Sequence, residues 1–522
     1  MSDEFDAISI GSGLGGLTAA ALYARLGHRV LVLERNDDIG GAATTFRHGG
    51  LTIEASLHET AQLSTPGDPK ARILAALGLT DELEFVSAGP LYELRGGLFA
   101  EPFVLPCGFD AAEAALVERF PRHRSGFRRY FRLLSAVQDA TAAIGEQHDS
   151  LWWLLHAPVL PLSLWPLLRD LRRSVSEIFA DLFGDDELPK VALAANLGYY
   201  GDDPDTLWWL YYAVAQGGYL SGGGAYIKGG SAALSSALAG VVLAEGGEVR
   251  TGRTVTEILL GGDGAAAGVA HTDPDGGDRL VERAPVLFGN AAPSVLAEAL
   301  PAERRSAFSA PFAGREPSTS LCSIAVGLDR PAAEFGLTHY STMLLPDWFR
   351  KLTDYGAYGD LMAGMPGQRL PGAAIVNYGA IDSGLDSGEA HLVSITTIDR
   401  LSNWRDLDPQ AYGHKRDAWM DALIGQTDQA FPGFAAAVLQ REMATAATMH
   451  RYLNTPGGAV YGFAQTPPRG IPTAGTSRGV QTAVPGLWLA STFGGLGGFT
   501  GAMLSGMLAA KAAIAFVANT DA

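Results

Sequence analysis

Near the start of the chain, three glycines and an acid have the types and spacing that bind a dinucleotide: Gly11, Gly13, Gly16 and Glu34. Gly11 permits a tight turn, Gly13 lets the backbone approach a pyrophosphate, and Gly16 lets the next helix pack closely on its strand. The N-terminus of that helix offers free N–H groups and a positive dipole to the phosphates. Glu34 is placed to accept hydrogen bonds from ribose hydroxyls, and an acid there disfavours a 2′-phosphate. The motif therefore predicts FAD or NAD in preference to NADP.

The surrounding sequence predicts the elements that position this motif. Residues 6–10 indicate a short buried strand, residues 17–26 a helix, and residues 30–33 a second strand that ends on the acid. A second glycine pair at residues 40–41 follows directly and suits FAD, whose ribityl chain continues past the pyrophosphate. We therefore predict FAD, contacted in this part of the chain by Gly11, Ser12, Gly13, Leu14, Gly15, Gly16, Glu34, Arg35, Gly40, Gly41 and Ala42.

Composition excludes several classes of protein. At 522 residues the chain is expected to form two or more domains, and its 47% hydrophobic content indicates a large core. The net charge of −18 argues against a nucleic-acid partner. The acidic residues at positions 3 and 4 do not fit a signal peptide, so we expect a cytoplasmic protein. The two cysteines, Cys107 and Cys322, are expected to be reduced and buried.

Residues 35–46, which follow the acid, resemble the corresponding segment of flavoproteins in the phytoene desaturase, carotenoid isomerase and retinol saturase group. That group belongs to the wider class of amine-oxidase-like and GDP-dissociation-inhibitor-like folds. The resemblance implies an α/β protein, with a Rossmann-like FAD-binding domain and an inserted substrate domain of mixed sheet and helices. It also implies an apolar substrate of polyene or isoprenoid type and hydride transfer between a substrate carbon and the flavin. Desaturation, saturation and isomerisation all fit the same motifs.

The domain organisation follows from the resemblance and from changes in sequence pattern. We expect the FAD-binding domain to comprise residues 1–90, 222–299 and 479–522. The substrate domain then comprises residues 91–221, predicted to be helical, and residues 300–478, predicted to be a sheet over a pocket with helices outside.

Residues 262–267 imitate a second glycine loop after a strand. The turn-rich residues 271–278 that follow do not indicate a helix, so we predict a hairpin. Without a second strand, glycine turn and helix, a dedicated NAD(P)H site is not expected.

The resemblance also implies the catalytic candidates. His58 lies in residues 51–59, a segment that passes near the flavin ring in the family, although Ser56 replaces the usual glycine and Glu59 a common aromatic residue. His450 and Tyr461 lie in segments similar to the late segments of the isomerases and saturases, where the chain returns to the flavin. The spacing of the histidines does not indicate a metal site.

The remaining FAD contacts are implied for the middle and the end of the chain. The family's middle segment places a valine on the adenine, here Val255, and its closing strand ends near Asn290. Residues 494–501 are glycine-rich and lead into a predicted helix, residues 502–516, whose N-terminus would stabilise a reduced, anionic flavin. The implied contacts there are Ser491, Thr492, Gly498, Phe499 and Thr500. Because no cysteine lies in this segment, we expect FAD to be held non-covalently.

A stretch at residues 151–168 is apolar, contains three tryptophans and lies between two arginine clusters. Three prolines would break a helix that spans a bilayer. We therefore predict a peripheral contact with an anionic membrane in which this stretch enters one leaflet. The alternative is a helical hairpin inside the domain core.

Two other functions fit the same fold. An amine or other small-molecule oxidase would need an aromatic cage at the flavin, for which Tyr461 and Trp488 are candidates. A lipid carrier without catalysis is the alternative from another class. The sequence leaves the oligomeric state open.

Overall fold

The computed structural model describes residues 4–65, 67–145, 164–385, 388, 390–468 and 479–520. These residues contain twenty strands: β1 (Ala7–Ile10), β2 (Val30–Leu33), β3 (Thr45–His48), β4 (Leu51–Glu54), β5 (Thr60–Ala61), β6 (Phe85–Ser87), β7 (Tyr92–Gly96), β8 (Phe99–Leu105), β9 (Gly224–Ile227), β10 (Glu248–Arg250), β11 (Thr254–Leu260), β12 (Ala266–Thr272), β13 (Leu280–Arg283), β14 (Val286–Gly289), β15 (Ser320–Leu328), β16 (Ser341–Leu345), β17 (Ala373–Asn377), β18 (His391–Asp399), β19 (Val438–Ala444) and β20 (Leu487–Leu489).

The described residues also contain fifteen α-helices: α1 (Leu14–Ala24), α2 (Pro69–Leu77), α3 (Phe109–Arg119), α4 (Arg124–Gly145), α5 (Trp165–Arg169), α6 (Val175–Phe183), α7 (Glu187–Ala194), α8 (Trp209–Gly222), α9 (Ser231–Ala244), α10 (Pro293–Ala299), α11 (Ala302–Ser309), α12 (Tyr358–Leu361), α13 (Pro409–Ala430), α14 (Ala446–Leu453) and α15 (Gly498–Thr520).

A five-stranded parallel sheet, in the order β10-β2-β1-β14-β20, forms the base of the first domain. Its side chains alternate between two cores, as the period of two in a strand requires. Val30 and Val32 pack in the same core as α1, α9 and α15, whereas Leu31 and Leu33 pack in the core that includes residues of β11 and β12. Both faces are therefore covered, which is why the strands are almost entirely apolar.

Helices α1 and α15 approach each other unusually closely. A Cβ on Gly15 would collide with the carbonyl of Ala490, and a Cβ on Gly506 would collide with the carbonyl of Gly15. Of the described helices, α15 alone has the length and composition to cross a membrane. Its buried face, which includes Met503 and Ala509, belongs to the core that α1 shares.

A seven-stranded sheet, in the order β19-β15-β18-β17-β16-β7-β8, forms the second domain. The prediction of an entirely helical region at residues 91–221 is wrong at its start, because β7 and β8 belong to this sheet. β8 lies at the edge and contains Pro102, which an edge strand tolerates but which hides a strand in the sequence. β7 pairs in parallel with β16, so its partner lies some 250 residues away.

The helical region packs around large aromatic side chains. Tyr130 of α4 contacts Trp209 of α8 edge-on, with ring centroids 6.2 Å apart, and Phe179 of α6 joins the same core. Cys322 is buried as expected, but Cys107 is only partly buried, and both thiols are free.

Two glycine-rich segments fold differently in detail from the prediction. α1 begins at Leu14 and α15 at Gly498, three and four residues earlier than the apolar pattern indicates, since the helices start inside the glycine turns. The short buried strand β9 lies in the glycine-rich segment directly before α9. The hairpin around residues 262–267 is confirmed, because β11 and β12 are antiparallel.

Most of the apolar stretch at residues 151–168 lies outside the described residues. Its last part includes α5, where the side chains of Trp165 and Leu168 are 59% and 52% exposed. Leu167 packs against the core of the helical region.

We expect Gly506→Ala to destabilise the protein by about 1–3 kcal/mol, because the new methyl group would force α1 and α15 apart. Gly425→Ala in α13 is the matched control, since open space surrounds that position. It should stabilise the protein by about 0.5–1 kcal/mol, the usual gain for alanine over glycine in a helix. The unfolding free energies in urea would measure both changes, and stabilisation by both substitutions would contradict the close helix contact.

Candidate functional site

A cavity of about 880 Å³ lies between the parallel sheet and the seven-stranded sheet. Its wall includes the glycine turn after β1, the segment after β2, the N-terminus of α15, parts of α4 and α8, and four strands of the large sheet. The C-terminal ends of parallel strands are where α/β folds bind dinucleotides. The cavity therefore joins a dinucleotide position to a second space on the far side.

The glycine turn is held tightly against Asn290, which follows β14. A Cβ on Gly11 would lie 2.7 Å from the Asn290 carbonyl oxygen, and a Cβ on Gly13 would lie 2.5 Å from its Oδ1. Gly11 has a φ of 101°, a conformation that glycine adopts without strain. Asn290 is fixed in turn, since its Nδ2 donates to the Ala490 carbonyl at 2.5 Å. Three separate segments thus shape one turn.

Glu34 connects this turn to the end of β2. Its Oε2 accepts hydrogen bonds from the Ser12 backbone N–H at 2.9 Å and the Ser12 hydroxyl at 2.6 Å. Its Oε1 accepts from the Asn36 N–H at 2.8 Å. The carboxylate lines the cavity and is only 6% exposed. It therefore supports the turn while keeping acceptor capacity for a ligand hydroxyl.

Segments from much later in the chain form the cavity wall opposite Glu34. Val255 lines the cavity beside Arg253 and Thr254. Arg35 donates to the carbonyls of Arg451 and Tyr452, at 2.8 Å and 2.9 Å, so the end of α14 lies next to the segment that follows Glu34.

The N-terminus of α15 forms another part of the wall. The Ser491 hydroxyl is buried there and has no hydrogen-bond partner among the described residues. Behind it, the Lys70 ammonium donates to Asp68 at 2.5 Å and to the Thr500 hydroxyl at 2.7 Å. Lys70 is 1% exposed, and burial lowers its pKa although Asp68 opposes this effect. A buried cation is therefore fixed at the start of this helix.

These features fit a dinucleotide of the flavin type. The glycine turn leaves room where side chains would otherwise stand, the N-termini of α1 and α15 both reach the cavity, and Ser491 offers an unpaired buried hydroxyl. Helix N-termini supply N–H groups and positive dipole to phosphates and to negative charge on a ring.

We call the part of the cavity lined by residues 138–219 and 321–398 the deep end. In those two ranges the described lining residues include no Lys, Arg, His, Asp or Glu. They are apolar residues and glycines, two amides, the threonines Thr141, Thr396 and Thr397, and a group of tyrosines: Tyr199, Tyr200, Tyr211, Tyr219, Tyr355 and Tyr358. Burial raises the pKa of each of these tyrosines, so their hydroxyls stay neutral.

His58 lies at the border of the deep end. Its Nε2 lies 3.1 Å from the Thr396 hydroxyl, and its ring packs against Tyr199 at a centroid distance of 5.6 Å. Burial lowers the pKa of His58 to about 4, so the imidazole is neutral at pH 7. The prediction that His58 approaches the reaction space agrees with its position in the cavity wall.

Glu59 is the residue that the sequence reasoning missed. Its side chain lines the cavity, is 8% exposed and has no hydrogen-bond partner for either carboxyl oxygen among the described residues. Burial raises its pKa to about 8, so the carboxyl is protonated at pH 7. The signal was present, since Glu59 was noted where the family commonly has an aromatic residue.

The neighbouring acid, Glu54, shows what a structural carboxylate looks like in this fold. It accepts from the Ser231 N–H at 2.7 Å and the Ser231 hydroxyl at 2.6 Å, and also from the hydroxyls of Thr45 and Tyr226 and the Leu57 N–H. These bonds fix the segment that carries His58 and Glu59 to the start of α9.

Most of the sequence-predicted contacts lie in one continuous wall. Those that line the cavity are Gly11, Gly13, Leu14, Gly15, Glu34, Arg35, Gly40, Gly41, Ala42, His58, Val255, Asn290, Tyr461, Ser491, Thr492, Gly498, Phe499 and Thr500. Ser12 and Gly16 are buried behind it and shape the turn from below.

His450 is not part of this wall. It is exposed in the last turn of α14, and its Nδ1 donates to the Thr455 carbonyl at 2.8 Å. The segment was expected to return to the flavin but lies beside Arg35, at the dinucleotide acid. Of the two aromatic-cage candidates, Tyr461 lines the cavity, where burial raises its pKa to about 12. Trp488 lies in β20 against Phe516, away from it.

Known proteins share this sequence and this fold. A family profile described as an NAD(P)-binding Rossmann-like domain matches residues 10–69. All-trans-retinol 13,14-reductase of Rattus norvegicus is 26% identical, over 96% of this chain and 85% of its own length. Prolycopene isomerase 1 (chloroplastic) of an Oncidium hybrid cultivar is 24% identical, over 90% of this chain and 77% of its own length. In sequence the chain is similar to proteins of the phytoene desaturase and retinol saturase-like group.

The solved structures agree on the fold. Cyclohexylamine oxidase from Brevibacterium oxydans IH-35A has a TM-score of 0.60 at 18% identity, covering 99% of this chain and 100% of that chain. The predicted amine-oxidase-like α/β fold, with a Rossmann-like domain and a mixed substrate domain, is confirmed. As the resemblance implied, the chain is an oxidoreductase with a cofactor of the flavin dinucleotide type.

We expect the unfolding free energy to depend on His58 in acid. Because the folded pKa is about 4, against 6.5 ordinarily, the stability from neutral His58 is full above pH 6.5 and is lost as pH falls towards 4. Between pH 7 and pH 5, the unfolding free energy of His58→Gln should therefore fall by about 2 kcal/mol less than that of the wild type. Urea unfolding at both pH values measures the difference, in which other titrations cancel. A parallel loss in the two proteins would contradict the buried neutral imidazole.

Proposed function

We propose that this protein is an FAD-dependent oxidoreductase that acts on a long apolar polyene or isoprenoid. The observation that supports this best is the deep end of the cavity, which adjoins the dinucleotide cradle and is lined without a charged side chain in residues 138–219 and 321–398. Transfer of an apolar chain into such a space is favourable in proportion to the area removed from water. The relatives named for retinol and prolycopene reactions support the same substrate class.

FAD supplies hydride transfer to or from a substrate carbon, and the chain supplies position and electrostatics. Gly11, Gly13 and the start of α1 would hold the pyrophosphate, and Glu34 the ribose. The N-terminus of α15 would favour negative charge on the reduced ring. The tyrosines of the deep end would keep the substrate dry and in place.

An amine substrate fits this wall less well. An amine is largely a cation in water, and its ammonium would enter a space where His58 is neutral and Glu59 is protonated at pH 7. Burying an unpaired charge costs several kcal/mol. At the deep end, the amine oxidase alternative therefore depends on the neutral tyrosines.

The cofactor is tested by denaturing the purified protein and filtering it. We expect free FAD in the filtrate, and a cofactor that stays with the polypeptide, or none at all, would contradict non-covalent FAD. Gly13→Val should be purified without flavin, because its side chain would displace Asn290 and occupy the pyrophosphate space. Gly262→Ala is the control, since that glycine has open space around it.

The substrate class is tested with the flavin-loaded protein under anaerobic conditions. A polyene in detergent should reduce or reoxidise the flavin, or be isomerised, whereas cyclohexylamine should do neither. Turnover of amines alone would establish the oxidase alternative, and no turnover of any substrate by a flavin-loaded protein would favour a carrier. A dedicated NAD(P)H site is not expected, so NADPH should not reduce the flavin rapidly with saturation.

We also propose that this protein is cytoplasmic and that it takes its substrate from an anionic membrane at the surface around α5. Trp165 and Leu168 expose apolar side chains there, while Leu167 lines the cavity. Replacing both exposed residues with serine should reduce co-sedimentation with anionic liposomes several-fold, because the apolar contact is lost. Leu26→Ser with Leu439→Ser, equally exposed elsewhere, is the matched control. Equal binding by both double variants would rule out this surface as the contact.

A further inference from the structure

We propose that Glu59 is the catalytic acid–base residue of this enzyme, the group that exchanges a proton with the substrate carbon next to the one that exchanges hydride. The proposal rests on the proposed function for the reaction class. The choice of residue comes from the geometry of this chain, because Glu59 is a buried carboxyl without a partner among the described residues, in the wall of the reaction cavity.

The backbone at Glu59 is firmly held. Its carbonyl accepts a hydrogen bond from the Tyr219 hydroxyl at 3.1 Å, and the next two residues, β5, pair with β9. On the other side, Glu54 fixes the segment to Ser231. The carboxyl is also confined, because a Cβ on Gly224 would collide with Glu59 Oε2. Its position is therefore built by the fold and does not result from a loose loop.

A structural role does not account for this carboxyl. Glu54, five residues earlier and equally buried, accepts several hydrogen bonds that hold two segments together. Glu59 makes none with its side chain among the described residues. A buried polar group without a partner lowers stability, so its presence in the cavity wall calls for an explanation.

Among the described residues, the groups that face Glu59 include no cation that would stabilise its ionised carboxylate, so the protonated carboxyl is favoured. The titratable groups that face it are the Cys107 thiol, the neighbouring His58 and the hydroxyls of Tyr199, Tyr200, Tyr219 and Tyr340. Burial raises the pKa of the thiol and of each phenol, and His58 is neutral at pH 7. Burial is also what raises the pKa of Glu59 itself. A carboxylic acid in these surroundings can donate a proton at neutral pH.

The proton balance of the reaction needs such a group. Saturating a carbon–carbon double bond adds hydride to one carbon, supplied by the reduced FAD of the proposed function, and a proton to the other. Glu59 breaks its O–H bond as the π electrons form the new C–H bond, and a carboxylate remains. In desaturation the carboxylate takes the proton back while hydride leaves the adjacent carbon, and FAD accepts the electron pair.

His58 cannot replace Glu59 in this role at pH 7. Its pKa of about 4 leaves it without a proton to give as an imidazolium, and its Nε2 is already close to the Thr396 hydroxyl. The tyrosines are poor acids because burial raises their pKa further. His58 is better suited to position the substrate beside the acid.

The test uses Glu59→Gln in the flavin-loaded protein, because glutamine keeps the size but cannot transfer a proton. We expect unchanged FAD content and a polyene turnover rate reduced about 100-fold or more, within the range for general acid–base catalysis. Wild-type saturation should slow as pH rises through about 8, where Glu59 loses its proton. Glu84→Gln, which changes a surface carboxylate, should retain the wild-type rate and pH profile.

Infrared spectroscopy gives a readout that does not depend on activity. Because burial also raises the pKa values of Glu54 and Asp399, the readout is the difference spectrum between variant and wild type at pH 7. Glu59→Gln should lose one protonated carboxyl component that Glu84→Gln retains. If Glu59→Gln turns over polyene at the wild-type rate, or its difference spectrum shows no lost carboxyl component, Glu59 is not the acid. If the wild type converts no polyene, the proposed function fails first, whatever the difference spectrum shows. Should Glu59→Gln fail to fold, Glu59→Asp replaces it and should shift the pH profile.

Discussion

The contact between α1 and α15 is the constraint on which the rest of the site depends. Gly15 and Gly506 let two helix backbones approach to a distance that any side chain would prevent. Because α1 begins after β1 and α15 follows β20, their close packing brings two helix N-termini to one cavity. Each N-terminus carries unpaired N–H groups, so the fold concentrates positive potential there without placing many charged side chains nearby. A dinucleotide with charge at its pyrophosphate and at its reduced ring matches this distribution.

The polarity of the cavity changes along its length for a physical reason. At the dinucleotide end Glu34 keeps polar partners, since Ser12 and Asn36 donate to it. Towards the deep end the ionisable groups His58 and Glu59 have lost water without gaining such partners, and both become neutral at pH 7. The cavity thus has a polar end that suits a phosphorylated cofactor and an apolar end that suits a hydrocarbon.

Much of this could be predicted from the sequence because it is local. The turn at Gly11, strand β2 and the acid Glu34 lie within a few dozen residues, and each residue type has one dominant reason to be there. β7 and β8 were missed although they pair locally, because Pro102 hides the strand pattern of β8 and the other partner of β7, β16, is remote in the sequence. His450 was placed wrongly because a segment's resemblance does not say which end of a long cofactor it meets. Glu59 was overlooked because its importance arises from missing partners, which only coordinates reveal.

The order of strands in the parallel sheet also constrains how the protein can be made. β1 and β2 are synthesised first, β14 joins them after nearly 300 residues, and β20 completes the edge at residues 487–489. A ribosome adds about 5–20 residues each second, so the first half of the sheet waits for tens of seconds before its last strand and α15 emerge. During that time the apolar face that α15 will cover is open, and the dinucleotide has only part of its binding site. Nascent chains of this protein should therefore depend on chaperones that shield this face until residues 487–520 are available.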